Sequence, residues 1–82
     1  MNERLVILRA FLLGADLSKD DVFAHVVRCA VDDLGFTPGE VGNALWVSRP
    51  TVERWMRGVT APHHLMREPI RRFMLRKIGE RL

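Results

Sequence analysis

The 82-residue sequence holds one cysteine, no tyrosine and no long apolar run. Because Cys29 has no partner in the chain, an intramolecular disulfide framework and a cysteine-based zinc cage are excluded. No apolar run approaches the ~18 residues that a membrane helix needs. The stretch from Leu5 to Ala15 loosely resembles a signal peptide, but Arg9 interrupts it and Glu3 stands where such peptides carry positive charge. We expect a soluble, cytoplasmic protein without membrane contact.

The sequence also lacks the motifs of common enzymes. It has no glycine-rich phosphate loop, no HExxH motif and no paired-carboxylate motif of a catalytic site. His25 and Cys29 lie one helical turn apart, which is the spacing of a two-ligand metal site or a Cys–His pair. Both belong to or adjoin an apolar stripe and no third ligand is evident, so the pattern favours a small buried cysteine. We expect no enzyme, no cofactor and no metal.

The length leaves room for one domain, residues 1–82, in which most of the 48% hydrophobic residues form a single core. The formal net charge is +3, but it divides into −2 for residues 1–35 and +5 for residues 36–82. Of the 13 basic residues only Lys19 and Lys77 are lysines. This asymmetry suggests a surface directed toward a polyanion, although an unevenly charged solvated surface gives the same numbers.

Glycine and proline residues divide the sequence into segments in which apolar residues recur every three or four positions. This pattern predicts an all-α domain of five helices. An extra N-terminal helix in residues 1–14 is apolar almost all round, so we expect it to be buried or to pair with another chain. Its Leu5–Leu8 run is also compatible with a short strand. The first core helix spans residues 18–34 and is capped by Ser18. A pair of short helices follows in residues 37–58, and a C-terminal helix spans residues 65–81.

The apolar positions of these helices define the predicted core. The second helix has the longest stripe, from Val22 to Leu34, and the third has a shorter one at Val41, Ala44 and Leu45. The last helix should expose its basic residues to solvent. Inward positions of the last two helices are Val52, Trp55, Met56, Ile70, Phe73, Met74 and Ile78; the solvated basic ones are Arg67, Arg71, Arg72, Arg76, Lys77 and Arg81.

Two short helices, Thr37–Trp46 and Ser48–Arg57, are separated by about one residue and each has its own cap. Thr37, Pro38 and Glu40 form a capping box with a favoured proline at the first helical position. This spacing is that of a helix-turn-helix. Its short turn holds the second helix at a fixed angle, so that this helix can enter a major groove about 12 Å wide.

The run from Gly35 to Pro62 resembles the Cro and phage-repressor type (XRE-like) of helix-turn-helix transcription regulators. The resemblance rests on Val47-Ser48-x-x-Thr51-Val52-x-x-Trp55 followed by Gly58-x-x-x-Pro62. It implies a compact, lambda-repressor-like five-helix domain that binds double-stranded DNA sequence-specifically. It further implies a bacterial or phage, nucleoid-associated repressor that binds a palindromic operator as a homodimer.

The sequence departs from the family pattern at two positions. The family usually has alanine where Gly42 stands, at the contact between the two helices, and glycine fits that contact. The family often has glycine where Trp46 stands, because that residue tends toward positive φ. We expect Trp46 to bring a different turn backbone or to act as a bulky plug.

The resemblance also implies which residues contact DNA. Arg49 and Arg54 can each bond the O6 and N7 atoms of a guanine, and Pro50 can offer only apolar contact. Glu53 can accept from cytosine N4 or orient Arg49, Arg54 or Arg57. Base-reading candidates are therefore Arg49, Pro50, Thr51, Glu53 and Arg54, and phosphate-binding candidates are Thr37, Pro38, Gly39, Ser48, Arg57 and Thr60.

An alternative is a helical protein–protein interaction module, such as an antitoxin or adaptor subunit, that uses the fold without reading DNA. The apolar N-terminal helix favours some protein contact, through that helix or the last one. The exposed Arg and Glu residues of the Ser48–Arg57 helix argue against protein contact as its only role, because interface centres are depleted of charge. The roles of His63 and His64 stay open between phosphate contact and plain exposure.

Overall fold

Five α-helices and one short 3₁₀ turn make up the chain in a computed structural model that describes residues 2–82. Met1, which the predicted first helix includes, lies outside the described residues. No strand occurs in residues 2–82, so the strand alternative for Leu5–Leu8 is wrong. The all-α class and the five helices are confirmed. The elements are α1 (Glu3–Gly14), α2 (Asp20–Asp32), α3 (Pro38–Leu45), α4 (Arg49–Met56), the 3₁₀ turn His64–Met66 and α5 (Glu68–Arg81).

Side-chain caps begin three of the helices. The Asn2 carboxamide oxygen accepts hydrogen bonds from the amides of Arg4 and Leu5 in the first turn of α1. The Thr37 hydroxyl accepts from the Glu40 amide at 3.1 Å, and the Glu40 carboxylate accepts from the Thr37 amide at 2.9 Å, so the predicted capping box is confirmed. The Ser48 hydroxyl accepts from the Thr51 amide at 3.3 Å and caps α4. These caps satisfy amides that have no partner within the helix.

The start of α2 differs from the prediction, because Ser18 does not cap it. The helix begins at Asp20 with Lys19 at the N-cap position and without a side-chain cap. The Ser18 hydroxyl donates instead to the Asp16 carboxylate at 2.6 Å, and the Ser18 amide donates to the same oxygen at 3.1 Å. These two hydrogen bonds lower the pKa of Asp16. A neighbouring carboxylate thus takes the hydroxyl that would otherwise reach the helix.

One apolar cluster forms the core, and α2 lies at its centre. This helix contacts α3, α4 and α5, while α1 packs against α5 and α3 packs closely on α4. The predicted stripe of α2 is confirmed, but Ala44 of α3 is exposed, because the buried face of α3 passes through Val41 and Gly42. The fully buried side chains with the largest volumes are Leu12, Phe23, Val26, Val27, Val41, Val52, Ile70, Met74 and Ile78.

The last helix starts at Glu68, three residues later than predicted, because residues 64–66 form the 3₁₀ turn. Arg67 and Arg71 are not solvated, contrary to the prediction. Arg67 is only 4% exposed, and its guanidinium donates to the carbonyls of Leu17 and Ser18 and pairs with Asp20 at 2.8 Å. Its Nε also donates to the Pro62 carbonyl at 3.0 Å.

Arg71 ties the end of α1 to α5 in the same way. Its guanidinium donates to the carbonyls of Leu12 and Ala15 and pairs with Glu68 on its own helix. Carbonyls at a helix C-terminus lack intrahelical donors, so an arginine from a neighbouring helix satisfies them. The prediction of solvent exposure is met by Arg72, Arg76 and Arg81.

Candidate functional site

The connection between α3 and α4 consists of Trp46, Val47 and Ser48. Trp46 has φ 62° and ψ 38°, the left-handed conformation, and its amide donates to the carbonyl of Gly42. The Val47 amide donates to the same oxygen at 2.9 Å. The expectation of a different turn backbone or a plug is therefore wrong. Trp46 itself adopts the positive φ and leaves its side chain 95% exposed.

A close backbone approach at Gly42 sets the distance between the two helices. A Cβ atom at this position would lie 2.6 Å from the carbonyl oxygen of Val47, closer than real Cβ contacts come. The predicted tight contact is confirmed, and it is tighter than one that alanine could fill. The start of α4 is consequently held against the middle of α3 by backbone atoms of residues 47–49.

α4 has a buried side and an exposed side. Val52 and Trp55 anchor it in the core, and the Trp55 ring meets the Phe23 ring edge-on at a centroid distance of 5.3 Å. Of the predicted base-reading residues, Arg49, Pro50 and Arg54 are exposed, while Thr51 and Glu53 are half-buried. The helix therefore presents two guanidinium groups on a face whose opposite side is fixed by packing.

Both of these arginines have a partner on their own helix. Arg54 Nη2 donates to the Thr51 hydroxyl at 3.4 Å, and the Thr51 hydroxyl also lies 2.8 Å from that of Ser48. Arg49 Nε lies 3.7 Å from the Glu53 carboxylate. Exposed pairs of this kind contribute about 0–1 kcal/mol, so a ligand can replace them at low cost.

The N-terminus of α3 adjoins the exposed face of α4. Residues Thr37, Pro38 and Gly39 line one surface groove together with Arg49 and Glu53. A second groove runs beside it and is lined by Pro38, Glu53, Met56 and Arg57. Four predicted phosphate-binding residues therefore lie beside two predicted base-reading residues.

The remaining two phosphate candidates lie elsewhere on the same segment. Ser48 is at the N-cap of α4, where its hydroxyl is already used by Thr51. Thr60 is exposed in the loop beyond Gly58 and is not among the residues that line either groove. Of the two, only Ser48 adjoins α4 directly.

Arg28 also positions this site, and no sequence pattern indicates it. Arg28 Nη1 of α2 donates to the carbonyl of Met56 at 2.7 Å and so holds the C-terminal end of α4. The contact depends on how α2 packs on α4, which no local pattern encodes. Since the end of α4 is fixed by this bond and its start by Gly42, the helix is restrained at both ends.

The charge of this region is smaller than the +5 of residues 36–82 suggests. Arg67 and Arg71 belong to that total, but they point to backbone carbonyls and pair with Asp20 and Glu68. The exposed positive charge beside α3 comes from Arg49, Arg54 and Arg57. A polyanion would therefore meet a local basic face.

His25 and Cys29 form a contact but not a reactive pair. The Cys29 Sγ atom lies 3.6 Å from His25 Nε2, and the cysteine is buried. Burial raises the pKa of the Cys29 thiol to about 11, and the negative charge of the nearby Asp33 adds to the effect. A protonated thiol is a poor nucleophile and a poor metal ligand. Among residues 2–82, no group of three or more His, Cys, Asp or Glu side chains could hold a metal ion.

Comparisons with family models, with characterised proteins and with solved structures find no match for this chain. In the described part of the chain, none of the helices has the length and apolar character needed to cross a membrane.

Proposed function

We propose that the chain is a sequence-specific regulator that binds double-stranded DNA, with α3 and α4 acting as a helix-turn-helix. The observation that carries the proposal is the exposed face of α4. Arg49 and Arg54 project from a helix that is anchored on its other side by Val52 and Trp55. A helix held in this way fits a major groove about 12 Å wide, where guanidinium groups can read guanine.

In this proposal, α4 reads bases with side chains that exchange one partner for another. Arg54 leaves the Thr51 hydroxyl and Arg49 leaves the Glu53 carboxylate to reach guanine O6 and N7. Glu53 then either keeps Arg49 aligned or accepts from cytosine N4. Pro50 offers apolar contact, for example to a thymine methyl group.

The phosphate contacts are proposed to come from the start of α3 and from the end of α4. Pro38 has no amide hydrogen, and the Glu40 amide is used by the Thr37 hydroxyl, which leaves the Gly39 amide as the donor. Gly39 lies in the same groove as Arg49, so a phosphate there would be next to the base-reading face. Arg57, Ser48 and Thr60 supply the remaining contacts in this proposal.

The family resemblance favours a repressor that acts as a homodimer on a palindromic operator, in the cytoplasm of a bacterium or of a phage-infected cell. Repression then follows from occupancy of the operator. A two-fold dimer presents two α4 helices to half-sites about 34 Å apart, which is one turn of the duplex.

Selection of bound sequences from a random duplex pool, at two salt concentrations, tests the function. We expect recovery of a palindrome whose half-sites contain guanine at the positions that face Arg49 and Arg54. Arg72→Ala is the control for the loss of an arginine from Arg49 or Arg54, since Arg72 is an exposed arginine on α5. This variant should recover the same sequence as the wild type. Failure to enrich any sequence at low salt would contradict the proposal.

A protein–protein interaction module is the second candidate, and Trp46 is the observation that favours it. Its indole is 95% exposed beside the start of α4, and exposed tryptophans are enriched in protein interfaces. If this candidate holds, the duplex selection fails while a Trp46→Ala substitution abolishes binding of a protein partner. If DNA reading holds, the same substitution leaves the selected sequence unchanged.

A further inference from the structure

The outer face of α1 carries four large apolar side chains that the rest of the chain leaves at least 40% exposed. Val6, Ile7, Phe11 and Leu13 are 43%, 68%, 40% and 57% exposed. We propose that two copies of this chain pair through this face, as two antiparallel α1 helices related by a two-fold axis. The biological role of this pairing rests on the proposed function, because a palindromic operator needs two copies. The pairing itself is measured without DNA.

The helical period places these side chains on one continuous face. The buried side of α1 consists of Leu5, Leu8 and Leu12. At 3.6 residues per turn, Ile7, Ala10 and Gly14 lie on the opposite side, in line with Glu3 at the N-terminal end. Val6 and Leu13 flank this line on one side and Phe11 flanks it on the other. Arg4 and Arg9 mark the two edges, so the face between them carries no charge beyond Glu3.

The surface around α1 has the shape of a ridge between two grooves. One groove, toward α2, is lined by Ile7, Phe11, His25 and Cys29 among others. The other, toward the end of α5, is lined by Asn2, Val6, Arg81 and Leu82. Packing of two helices places the side chains of each into the grooves of the other, and this surface offers both elements.

The order of large and small residues favours an antiparallel pair. With the two-fold axis between positions 8 and 9, Ile7 of one copy lies opposite Ala10 of the second copy. Glu3 lies opposite Gly14, where a Cβ atom would meet nothing within 4 Å. A parallel pair would instead place the two Glu3 carboxylates together and align the two helix dipoles.

The exposed area suits a second copy of the chain. The four side chains together expose on the order of 400 Å² of apolar surface, the size of patch that often marks an interaction site. A stable dimer interface buries about 600 Å² or more on each copy, so the polar edges at Arg4 and Arg9 have to take part in the contact. A two-fold contact uses the same patch on both copies, so no other surface of the molecule has to be complementary to it.

The position of α1 leaves the proposed DNA-binding helix free. α1 packs against α5, whereas α4 packs against α2 and α3. Pairing through α1 therefore does not cover Arg49, Arg54 or the start of α3. A dimer of this kind can form before it meets DNA.

Sedimentation analysis of the DNA-free protein tests the pairing. We expect the wild type to have twice the 9.4 kDa mass of one chain. Ile7→Glu and Ala10→Glu, both at exposed positions, should each reduce the mass to that of one chain with an unchanged far-ultraviolet spectrum. The matched control is Leu65→Glu, because Leu65 is 82% exposed outside this face, and it should stay dimeric. A monomeric wild type, or a dimer that persists in both α1 variants, would overturn the proposal.

Cross-linking in a Cys29→Ser background tests the antiparallel arrangement. Oxidation should join two chains that carry both Glu3→Cys and Gly14→Cys, because these positions face each other across the axis. It should not join chains with Glu3→Cys alone, because the two copies of residue 3 lie at opposite ends of the paired helices. Efficient cross-linking of the single variant would overturn the antiparallel pair. Since neither test contains DNA, a failed duplex selection and a failed dimer remain distinguishable.

Discussion

The backbone of Val47 passes so close to Gly42 that a Cβ atom on Gly42 would lie 2.6 Å from the Val47 carbonyl oxygen. The same carbonyl belongs to the turn whose amides donate back to Gly42, so the turn cannot move away without losing those bonds. α3 and α4 are thus held together by main-chain atoms at this point. Any side chain at position 42 has to displace the turn.

We expect Gly42→Ala to lower the free energy of unfolding by about 1–3 kcal/mol, the cost of overpacking a closed contact. The loss should occur even though alanine has the higher helix propensity. Gly79→Ala in α5 is the matched control, since a Cβ atom there meets nothing within 4 Å. It should raise the same free energy by about 0.5–1 kcal/mol. Urea denaturation measures both, and equal stability of Gly42→Ala and wild type would contradict the close approach.

Trp46 combines a left-handed backbone with an exposed indole, so the substitution to glycine should stabilise the protein. A non-glycine residue in this left-handed conformation costs about 1–2 kcal/mol. Substitution to glycine removes this cost, but the greater conformational freedom of glycine in the unfolded chain offsets part of the gain. We expect Trp46→Gly to raise the free energy of unfolding by about 1 kcal/mol. Trp46→Ala is the control, because it removes the indole but keeps the strain, and it should change stability little. A loss of stability in both variants would mean that the indole packs against the protein.

Local interactions made much of the fold predictable from the sequence. The capping box of Thr37 and Glu40 needs only residues within one turn, and the stripe of α2 needs only helical periodicity. Features that depend on contacts distant in sequence were missed. Arg67 reaches carbonyls about 50 residues away. The Ser18 cap was predicted wrongly for a local reason, because the Asp16 carboxylate competes with α2 for the Ser18 hydroxyl.

In the candidate site, too, features set by local interactions were predictable and the others were not. The position of Thr37–Gly39 relative to α4 follows from two capped helices and a short turn, which the sequence indicates. The pairing of Arg49 with Glu53 was one of several open alternatives, and only side-chain geometry selects it. The left-handed Trp46 was missed because glycine is the residue expected there, and sequence pattern does not show when a protein accepts the strain.

Arg67 should be one of the most important residues for stability, although it is an arginine near a helix start. Its substitution by methionine leaves the carbonyls of Leu17, Ser18 and Pro62 without this donor and leaves Asp20 without its partner. We expect Arg67→Met to lower the free energy of unfolding by about 2–4 kcal/mol. Arg72→Met on the exposed side of α5 is the control and should stay within about 0.5 kcal/mol of wild type. Similar values for the two variants in urea denaturation would exclude the structural role of Arg67.

The raised pKa of Cys29 predicts a loss of stability at high pH. Its folded-state pKa of about 11 lies above the ordinary 9.0, so the folded protein holds the proton more tightly than the unfolded chain does. The contribution of the protonated Cys29 thiol to the free energy of unfolding is therefore complete below about pH 9, and it is lost as the pH rises through 11. Cys29→Ala is the control, because it keeps the titration of the lysines and removes that of the thiol. A difference in melting temperature between the two proteins that is the same at pH 7 and pH 10.5 would contradict the buried thiol.

If α4 reads DNA, Arg49 and Arg54 should differ from Arg57 in what their loss does. Arg49→Ala and Arg54→Ala should each weaken binding to the selected sequence by about 1–3 kcal/mol and relax the base preference at separate positions. Arg57→Ala should weaken binding to all sequences alike and reduce the slope of log affinity against log salt by about 1. Fluorescence anisotropy with selected and scrambled duplexes at several salt concentrations measures both effects. Equal weakening on selected and scrambled DNA by Arg49→Ala and Arg54→Ala would assign these residues to the phosphates, and an unchanged slope for Arg57→Ala would remove it from them.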